Sequence, residues 1–359
     1  MSVAIVGSGP AGFYCADMLS KALPRQAIHI FERLPLPFGL VRYGVAPDHP
    51  GTKAVTRLFE RVMQRPQLRF FGNVALGRDL DLRDLEQAYT VVILATGAGI
   101  GQKISCPGVE QAPGICGIDL SAHFNGKPVR PESLPRRAQS ICIVGNGNVS
   151  LDAARLLAKP EAELLACGVP QALLDWRAGL GLREIHVCGR RGIADTRFSS
   201  VELEELTQLA DFHPVVDARD VRDVHDQAGT NQDAAAILGR WAGAGNSGRR
   251  PIRFHFDQGI EAWRDGALLT RGRDGVPQAI PAQMIVHAIG QRGEAIPGVP
   301  FDPESGRIPN VNGLVRGKER TFVAGWAASV AGGQIALSRQ SAQALLPAIL
   351  AHFPEHVVS

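Results

Sequence analysis

The residues whose spacing points to chemistry are glycines rather than nucleophiles. Gly7-Ser8-Gly9-Pro10-Ala11-Gly12 forms one run, and Glu32, followed by Arg33, stands about 20 residues beyond its last glycine. In such a run the first glycine permits a tight turn. The second lets the backbone approach a pyrophosphate, and the third lets helix and strand pack closely. The acid can accept a hydrogen bond from a ribose hydroxyl. A second run is Gly145-Asn146-Gly147-Asn148-Val149-Ser150, with a small serine in the third place. Its next strand ends not on an acid but on Gly189-Arg190-Arg191-Gly192. Guanidinium groups bind phosphate through paired charged hydrogen bonds. Arg190 and Arg191 therefore fit a 2′-phosphate, and the second site should prefer NADPH to NADH.

These residues need a strand before each turn and a helix after it. The pattern predicts a strand over 2–6, a helix over about 13–22 and a strand over 27–31 ending at Glu32. The helix start directs free N–H groups at the phosphates. The second unit repeats this with a strand over 140–144, a helix beginning over 151–157 and a strand over 184–188. Between them, 52–64 reads as a helix and 68–71 as a strand. Residues 89–95 are nearly all apolar, as a buried parallel strand should be. Proline and glycine density over 33–50 argues against any regular helix there. Such an apolar loop beside a dinucleotide turn could wall in a flat ring system. Residues 159–182 read as a helical insertion, and 217–250 as polar with a flexible loop. Residues 253–256, 261–264 and 266–270 suggest a small antiparallel β-unit. Strands over 284–289 and 321–324 follow, then Gly325-Trp326, a Gly332-Gly333 turn and a last helix over about 334–351.

Composition narrows the class. At 359 residues the chain should hold about two domains. Hydrophobic content of 45% with 20% charged residues marks a globular chain rather than a disordered one. A net charge of +3 is too small to argue for nucleic acid or an acidic membrane as partner. None of the six cysteines forms a CxxC pair, so neither a zinc knuckle nor a local redox dithiol is expected, and no metal site is assigned. Cys142 and Cys188 lie in apolar strand patterns and are expected in the core of a protein from a reducing compartment. The sequence opens directly on its first strand, so no targeting segment is expected and a cytoplasmic location is. No apolar run approaches the roughly 20 residues of a membrane span.

Two such units resemble the glutathione-reductase-like flavoproteins. Further segments narrow the resemblance: Pro37-Phe38-Gly39-Leu40-Val41-Arg42-Tyr43-Gly44-Val45-Ala46-Pro47-Asp48-His49-Pro50, the run from Gly145 to Arg155, Gly189-Arg190-Arg191-Gly192, the run from Phe198 to Leu206, Pro300-Phe301-Asp302, Ile308-Pro309-Asn310-Val311 and Gly325-Trp326. In this order they closely resemble the adrenodoxin-reductase family of ferredoxin–NADP⁺ reductases. The resemblance implies an α/β fold of two Rossmann-like, three-layer β/β/α dinucleotide-binding domains. Residues 1–106 and 291–359 would bind FAD, and 107–290 would bind NADP(H). It places FAD at Gly7, Gly9, Pro10, Ala11, Gly12, Glu32 and Arg33, with Gly39, Leu40, Tyr43 and Val45 from the apolar loop. Ala95, Thr96 and Gly97 would pass close to the flavin nucleotide. Gly325, Trp326, Gly333, Gln334 and Ile335 would meet the isoalloxazine. NADP(H) would lie on Gly145, Gly147, Asn148 and Val149, with Arg190, Arg191 and Glu202 at its adenosine end. His49, Asp152 and Glu205 fall at or near the family's active site. Their implied role is polar support, because hydride transfer needs no protein nucleophile. The implied function carries electrons from NADPH through flavin to a ferredoxin-type iron–sulfur protein.

Three departures bear on the acceptor. The family usually reads Gly-Trp-x-Lys-Arg-Gly-Pro-Thr-Gly where this chain has Gly325-Trp326-Ala327-Ala328-Ser329-Val330-Ala331-Gly332-Gly333. The chain stops after its last helix, where the family typically continues. Where the family often carries arginines after the helix of Glu202 and Glu205, this chain has Glu204 and the polar run 226–235. A flavoenzyme that reduces a small molecule or O₂ through the altered 327–333 loop is the alternative. A non-catalytic flavin or NADP sensor is a third, against which Arg190, Arg191 and His49 argue.

Overall fold

A computed structural model describes residues 1–128, 134–221, 232–242, 248–329 and 335–358. The chain divides into two compact units. One comprises Met1–Val45, His49–Ile100 and Gln291–Ser359, the other Ala46–Asp48 and Gly101–Gly290.

The first unit is built on Ser2–Val6, whose residues are buried from Val3 onward. Apolar side chains on both faces suit a strand covered on both sides. It pairs in parallel with Ala27–Glu32 on one side (Val6 opposite Phe31) and with Val91–Leu94 on the other (Val6 opposite Leu94). The seven-stranded sheet runs Asn310–Val311, Leu314–Val315, Thr321–Val323, Val91–Leu94, Ser2–Val6, Ala27–Glu32, Leu68–Gly72. The strand order reverses beside Ser2–Val6, the place where open α/β sheets take nucleotides. The helix Pro10–Ala22 begins three residues earlier than the pattern predicts. Pro10 in its first turn lacks only an N–H that would have no intrahelical partner. One sheet face packs on this helix, on Thr56–Met63 and on Ile335–Leu350, with Phe13 stacked on Phe59 at 4.9 Å. The other face, through Ala4, Val6, Phe31, Val92 and Leu94, packs on Leu82, Leu85, Val299 and Ile308.

The second unit has a six-stranded parallel sheet in the order Gly114–Cys116, Met284–His287, Ser140–Val144, Glu184–Cys188, Arg250–His255, Phe212–Val216. Helices, among them Asn148–Ala158 and Ser200–Thr207, cover one face through Leu151, Ala154, Leu203 and Leu206. A three-stranded antiparallel sheet of Gly259–Arg264, Ala267–Arg271 and Pro277–Pro281 covers the other. There Leu268 and Ile280 pack on Cys142, Val144, Cys188 and Ile285. This is the β/β/α layering of the glutathione-reductase-like fold. Cys142 and Cys188 are fully buried free thiols in the core.

Several elements differ from the sequence reading. A one-turn helix, Gly39–Tyr43, forms within the loop expected to have none. The stretch from Phe38 to Ala46 is free of proline, and Phe38 starts the turn with a φ of 86°. The helix expected over 52–64 is two helices, Pro50–Lys53 and Thr56–Met63, joined by tight i→i+3 bonds at Ala54 and Val55. Residues 253–256 fall largely in Arg250–His255, a strand of the parallel sheet, and Pro277–Pro281 completes the antiparallel unit instead. Phe212–Val216 is an unexpected strand. Gln232–Ala242 is a helix inside the stretch read as polar with a flexible loop. Most of the glycine-rich segment read as that loop (243–247), and the turn at Gly332 and Gly333, lie outside the described residues. Among the described residues no helix is long and apolar enough to cross a membrane.

Candidate nucleotide-binding sites

The first turn is held by contacts that only glycine permits. Gly7 has a φ of +106°, and a Cβ there would stand 2.3 Å from the Ala95 carbonyl oxygen. A Cβ on Gly12 would lie 2.1 Å from the Gly7 carbonyl oxygen. Gly9 is different, because a Cβ there would meet nothing within 4 Å. Its open side is where a pyrophosphate can approach. The apolar loop closes over this turn: Phe38 N donates to Ser8 O at 3.0 Å, and a Cβ on Gly39 would be 3.0 Å from Gly9 Cα. Leu40 and Tyr43 are half-buried on the short helix, and Val45 N returns to Leu40 O at 2.8 Å.

Glu32 is 7% exposed and already organised. One carboxylate oxygen accepts from Ser8 N at 2.9 Å and from Ser8 Oγ at 2.6 Å. The other accepts from Leu34 N at 3.0 Å. A carboxylate has about four lone-pair positions, so one remains for a ribose hydroxyl. Arg33 is turned to Glu294 at 2.7 Å. Thr96 and Gly97 follow the buried Ala95, and Gly97 has open space where a Cβ would be. Gly325, with a φ of +68°, packs so close to Ala11 that a Cβ would lie 2.6 Å from the alanine methyl. The Trp326 indole Nε1 is buried with no hydrogen-bond partner among the described residues. A buried orphaned donor on Trp326 and the open sides of Gly9 and Gly97 both fit a bound flavin nucleotide. Ile335 begins the last helix, while Gly333 and Gln334 lie outside the described residues.

The second turn uses the same backbone. Gly145 has a φ of +148°, and a Cβ would stand 2.2 Å from the Ala288 carbonyl oxygen, whereas Gly147 is open. Ser150 is fully buried, and its hydroxyl donates to the Gly147 carbonyl, so the third-place serine closes the turn as well as packing under it. Gly147 begins the helix Asn148–Ala158 without a side-chain cap, leaving its first N–H groups for a ligand. Asn148 Oδ1 accepts from Ser199 N at 2.9 Å, and Val149 fills the space a Cβ on Gly117 would occupy, 2.8 Å away. Arg190 and Arg191 are exposed, and neither side chain has a partner among the described residues.

Asp152, Glu202 and Glu205 meet at a residue the sequence reading gave no role. Arg155 is 1% exposed on the helix Asn148–Ala158. It contacts Asp48 (2.7 Å), Asp152 (2.7 Å), Glu202 (2.7 Å) and Glu205 (3.1 Å), while Lys159 also reaches Asp48 at 2.8 Å. Burial opposes ionisation of Asp48, but Arg155 and Lys159 outweigh it and hold the carboxyl down to about 2. Burial likewise opposes charge on Arg155, and the surrounding carboxylates overcome it. The cluster fixes the helix behind the second turn to the helix of Glu202. The available signal was an arginine at a core-facing helical position, four residues after Leu151. His49 belongs to the other unit, where it precedes the helix Pro50–Lys53 and its carbonyl accepts from Lys53 N.

Comparison with known proteins identifies the family. Residues 1–169 match the family Pyridine nucleotide-disulphide oxidoreductase. The NADPH-ferredoxin reductase FprA of Mycobacterium leprae is 33% identical over 371 residues, covering 95% of this chain and 81% of that protein. The mitochondrial NADPH:adrenodoxin oxidoreductase of Homo sapiens is 32% identical, covering 90% and 73%. Mycobacterium tuberculosis FprA in complex with NADPH superposes with a TM-score of 0.91 at 31% identity, over 99% of this chain and 87% of that one. Lactococcus lactis thioredoxin reductase shares the fold alone, at 13% identity and a TM-score of 0.57. With two glycine turns of matching build and relatives of this closeness, the chain belongs to the FprA and adrenodoxin-reductase family, as an oxidoreductase that binds FAD and NADP(H).

Proposed function

We propose that the protein passes electrons from NADPH through FAD to a ferredoxin-type iron–sulfur protein. One observation carries the choice of acceptor: the chain has no CxxC pair. Thioredoxin reductases share the fold, but this sequence carries no CxxC pair to take electrons from the flavin and hand them on. The names of the FprA and adrenodoxin relatives support a protein acceptor. Bound FAD supplies the conversion from a two-electron hydride to single electrons.

The chain's own residues bind and orient. Glu32, Gly9 and the loop of Gly39 to Val45 hold the flavin nucleotide. Gly147, Asn148 and Val149 hold the NADP(H) pyrophosphate, and Arg190 and Arg191 its 2′-phosphate. We assign FAD to residues 1–106 and 291–359 and NADP(H) to 107–290, and we give His49, Asp152 and Glu205 a supporting role near the reacting rings. For Asp152 and Glu205 the support acts through Arg155. A second reading, reduction of a small molecule or O₂, is favoured by Ala327-Ala328-Ser329, where the family usually carries cations after its Gly-Trp. Steady-state NADPH oxidation with a panel of ferredoxins, ferricyanide and O₂ separates the two. Turnover with every ferredoxin no faster than with O₂ alone rejects the proposal.

A further inference from the structure

Arg197 lies outside both arginine positions discussed above, yet the fold sets it against the second glycine turn. Its main-chain N donates to Asn146 O at 2.9 Å, and Arg197 and Gly147 form an isolated parallel bridge. Backbones so paired lie about 5 Å apart. Its neighbours are locked. Thr196 and Phe198 are buried, Thr196 Oγ1 donates to Ile193 O at 2.8 Å, and Ser199 N donates to Asn148 Oδ1 at 2.9 Å. The Arg197 side chain, by contrast, is exposed and has no hydrogen bond or ion pair with any other described residue. Asn146 ties the two arginine-bearing segments to the turn, because its Nδ2 donates to Arg191 O at 3.2 Å while its carbonyl accepts from Arg197 N. Three arginines whose side chains have no partner among the described residues thus sit on segments tied to one turn.

We propose that Arg197 binds the pyrophosphate of NADP(H), dividing the phosphate work with Arg190 and Arg191. The assignment follows from register. Arg197 is paired with Gly147, the middle glycine, whose open side is where backbone approaches a pyrophosphate. Arg190 and Arg191 follow the strand Glu184–Cys188, at the place where a ribose is read. A planar guanidinium with several donors matches paired phosphate oxygens.

The test is calorimetric titration of the FAD-loaded protein with NADP⁺ and with 2′-AMP, which carries the 2′-phosphate but no pyrophosphate. Arg197→Gln should raise the Kd for NADP⁺ about tenfold, the loss of one charged hydrogen bond, and leave 2′-AMP unchanged. Unchanged 2′-AMP binding also shows that the variant keeps its fold. Arg197→Lys should recover most of the NADP⁺ affinity. The salt dependence of NADP⁺ binding should be shallower in Arg197→Gln than in the wild type, since one fewer cation meets phosphate. An unaltered NADP⁺ affinity, or a parallel loss of 2′-AMP, overturns the proposal.

Discussion

At the first glycine turn Glu32 and Arg33 have protein partners before any nucleotide arrives; at the second, Arg190 and Arg191 have none among the described residues. Glu32 is buried and takes three hydrogen bonds from Ser8 and Leu34, and Arg33 is paired with Glu294. Arg190 and Arg191 are exposed and unpaired among the described residues. The backbones are otherwise close copies, with a strained first glycine, an open second glycine and a small third residue. On the proposed assignment of FAD to the first turn and NADP(H) to the second, the difference matches what each nucleotide must do. FAD stays through many turnovers, so a pre-ordered acid that loses little entropy on binding suits it. NADP(H) must leave each time, and ordering each long arginine costs about 0.5–1.5 kcal/mol, which tempers an otherwise strong phosphate contact.

The sharpest way to break this comparison is to damage each turn alone. Gly7→Ala forces a Cβ against the Ala95 carbonyl and should cost about 3 kcal/mol, leaving protein without the yellow flavin absorbance. Gly145→Ala meets the Ala288 carbonyl in the same way and should abolish NADP⁺ binding while FAD remains. Full flavin content in Gly7→Ala would refute the reading of that turn. Next in size is the double change of Arg190 and Arg191 to alanine. It removes charged hydrogen bonds worth about 1.5–3 kcal/mol each and should weaken NADPH while sparing NADH. Equal loss for both cofactors in steady-state kinetics would show that these arginines do not read the 2′-phosphate.

A smaller effect is expected from Glu32→Gln. The amide turns one donor toward Ser8 or Leu34, so FAD affinity should fall by about 1–3 kcal/mol, measured by fluorescence on flavin release. No change would mean that the acid serves only the apoprotein turn. The smallest effect per group is acid sensitivity, and it should appear first in the second unit. Burial, with Arg253 nearby, holds His186 near 4, and burial with His186 and Arg253 holds His255 near 3. Burial and Lys103 hold His287 near 4. An unfolded chain takes up these protons near 6.5, while the folded rings stay neutral. Stability therefore falls as pH drops from about 6.5 toward 4, by about 1 kcal/mol per ring at pH 5.5. Between those pH values NADP⁺ affinity should decline before FAD is released; simultaneous loss would contradict the ranking.

Much of this architecture could be read in the residues. The strands of both turns, the glycines and the change from Glu32 to Arg190 and Arg191 follow from local pattern, because each depends on neighbours in sequence. What escaped depends on distant partners. Phe212–Val216 carries Pro214, which argues against a strand unless the strand lies at a sheet edge, as this one does. Gln232–Ala242 buries Ala234, Ile237, Leu238 and Trp241, a helical spacing hidden within polar surroundings. Residues 253–256 lie close in sequence to the antiparallel unit and read as part of it, although their strand pairs in parallel on both sides with partners distant in sequence. Arg155 could not be assigned because one of its carboxylates, Asp48, is 107 residues away.

That last separation matters for anyone who would move these parts between proteins. Ala46 is fully buried in the core of the second unit, and Asp48 supplies the most deeply buried of Arg155's four acids, yet both arrive on a loop that leaves and rejoins the first unit. A gene cassette cut at 101 and 290 would carry Arg155 and Lys159 without the carboxylate they share. The physical boundary of the second unit is therefore not a pair of cut points on the chain. A chimera that exchanges coenzyme preference has to transplant residues 46–48 along with the cassette, or repack the place that they fill.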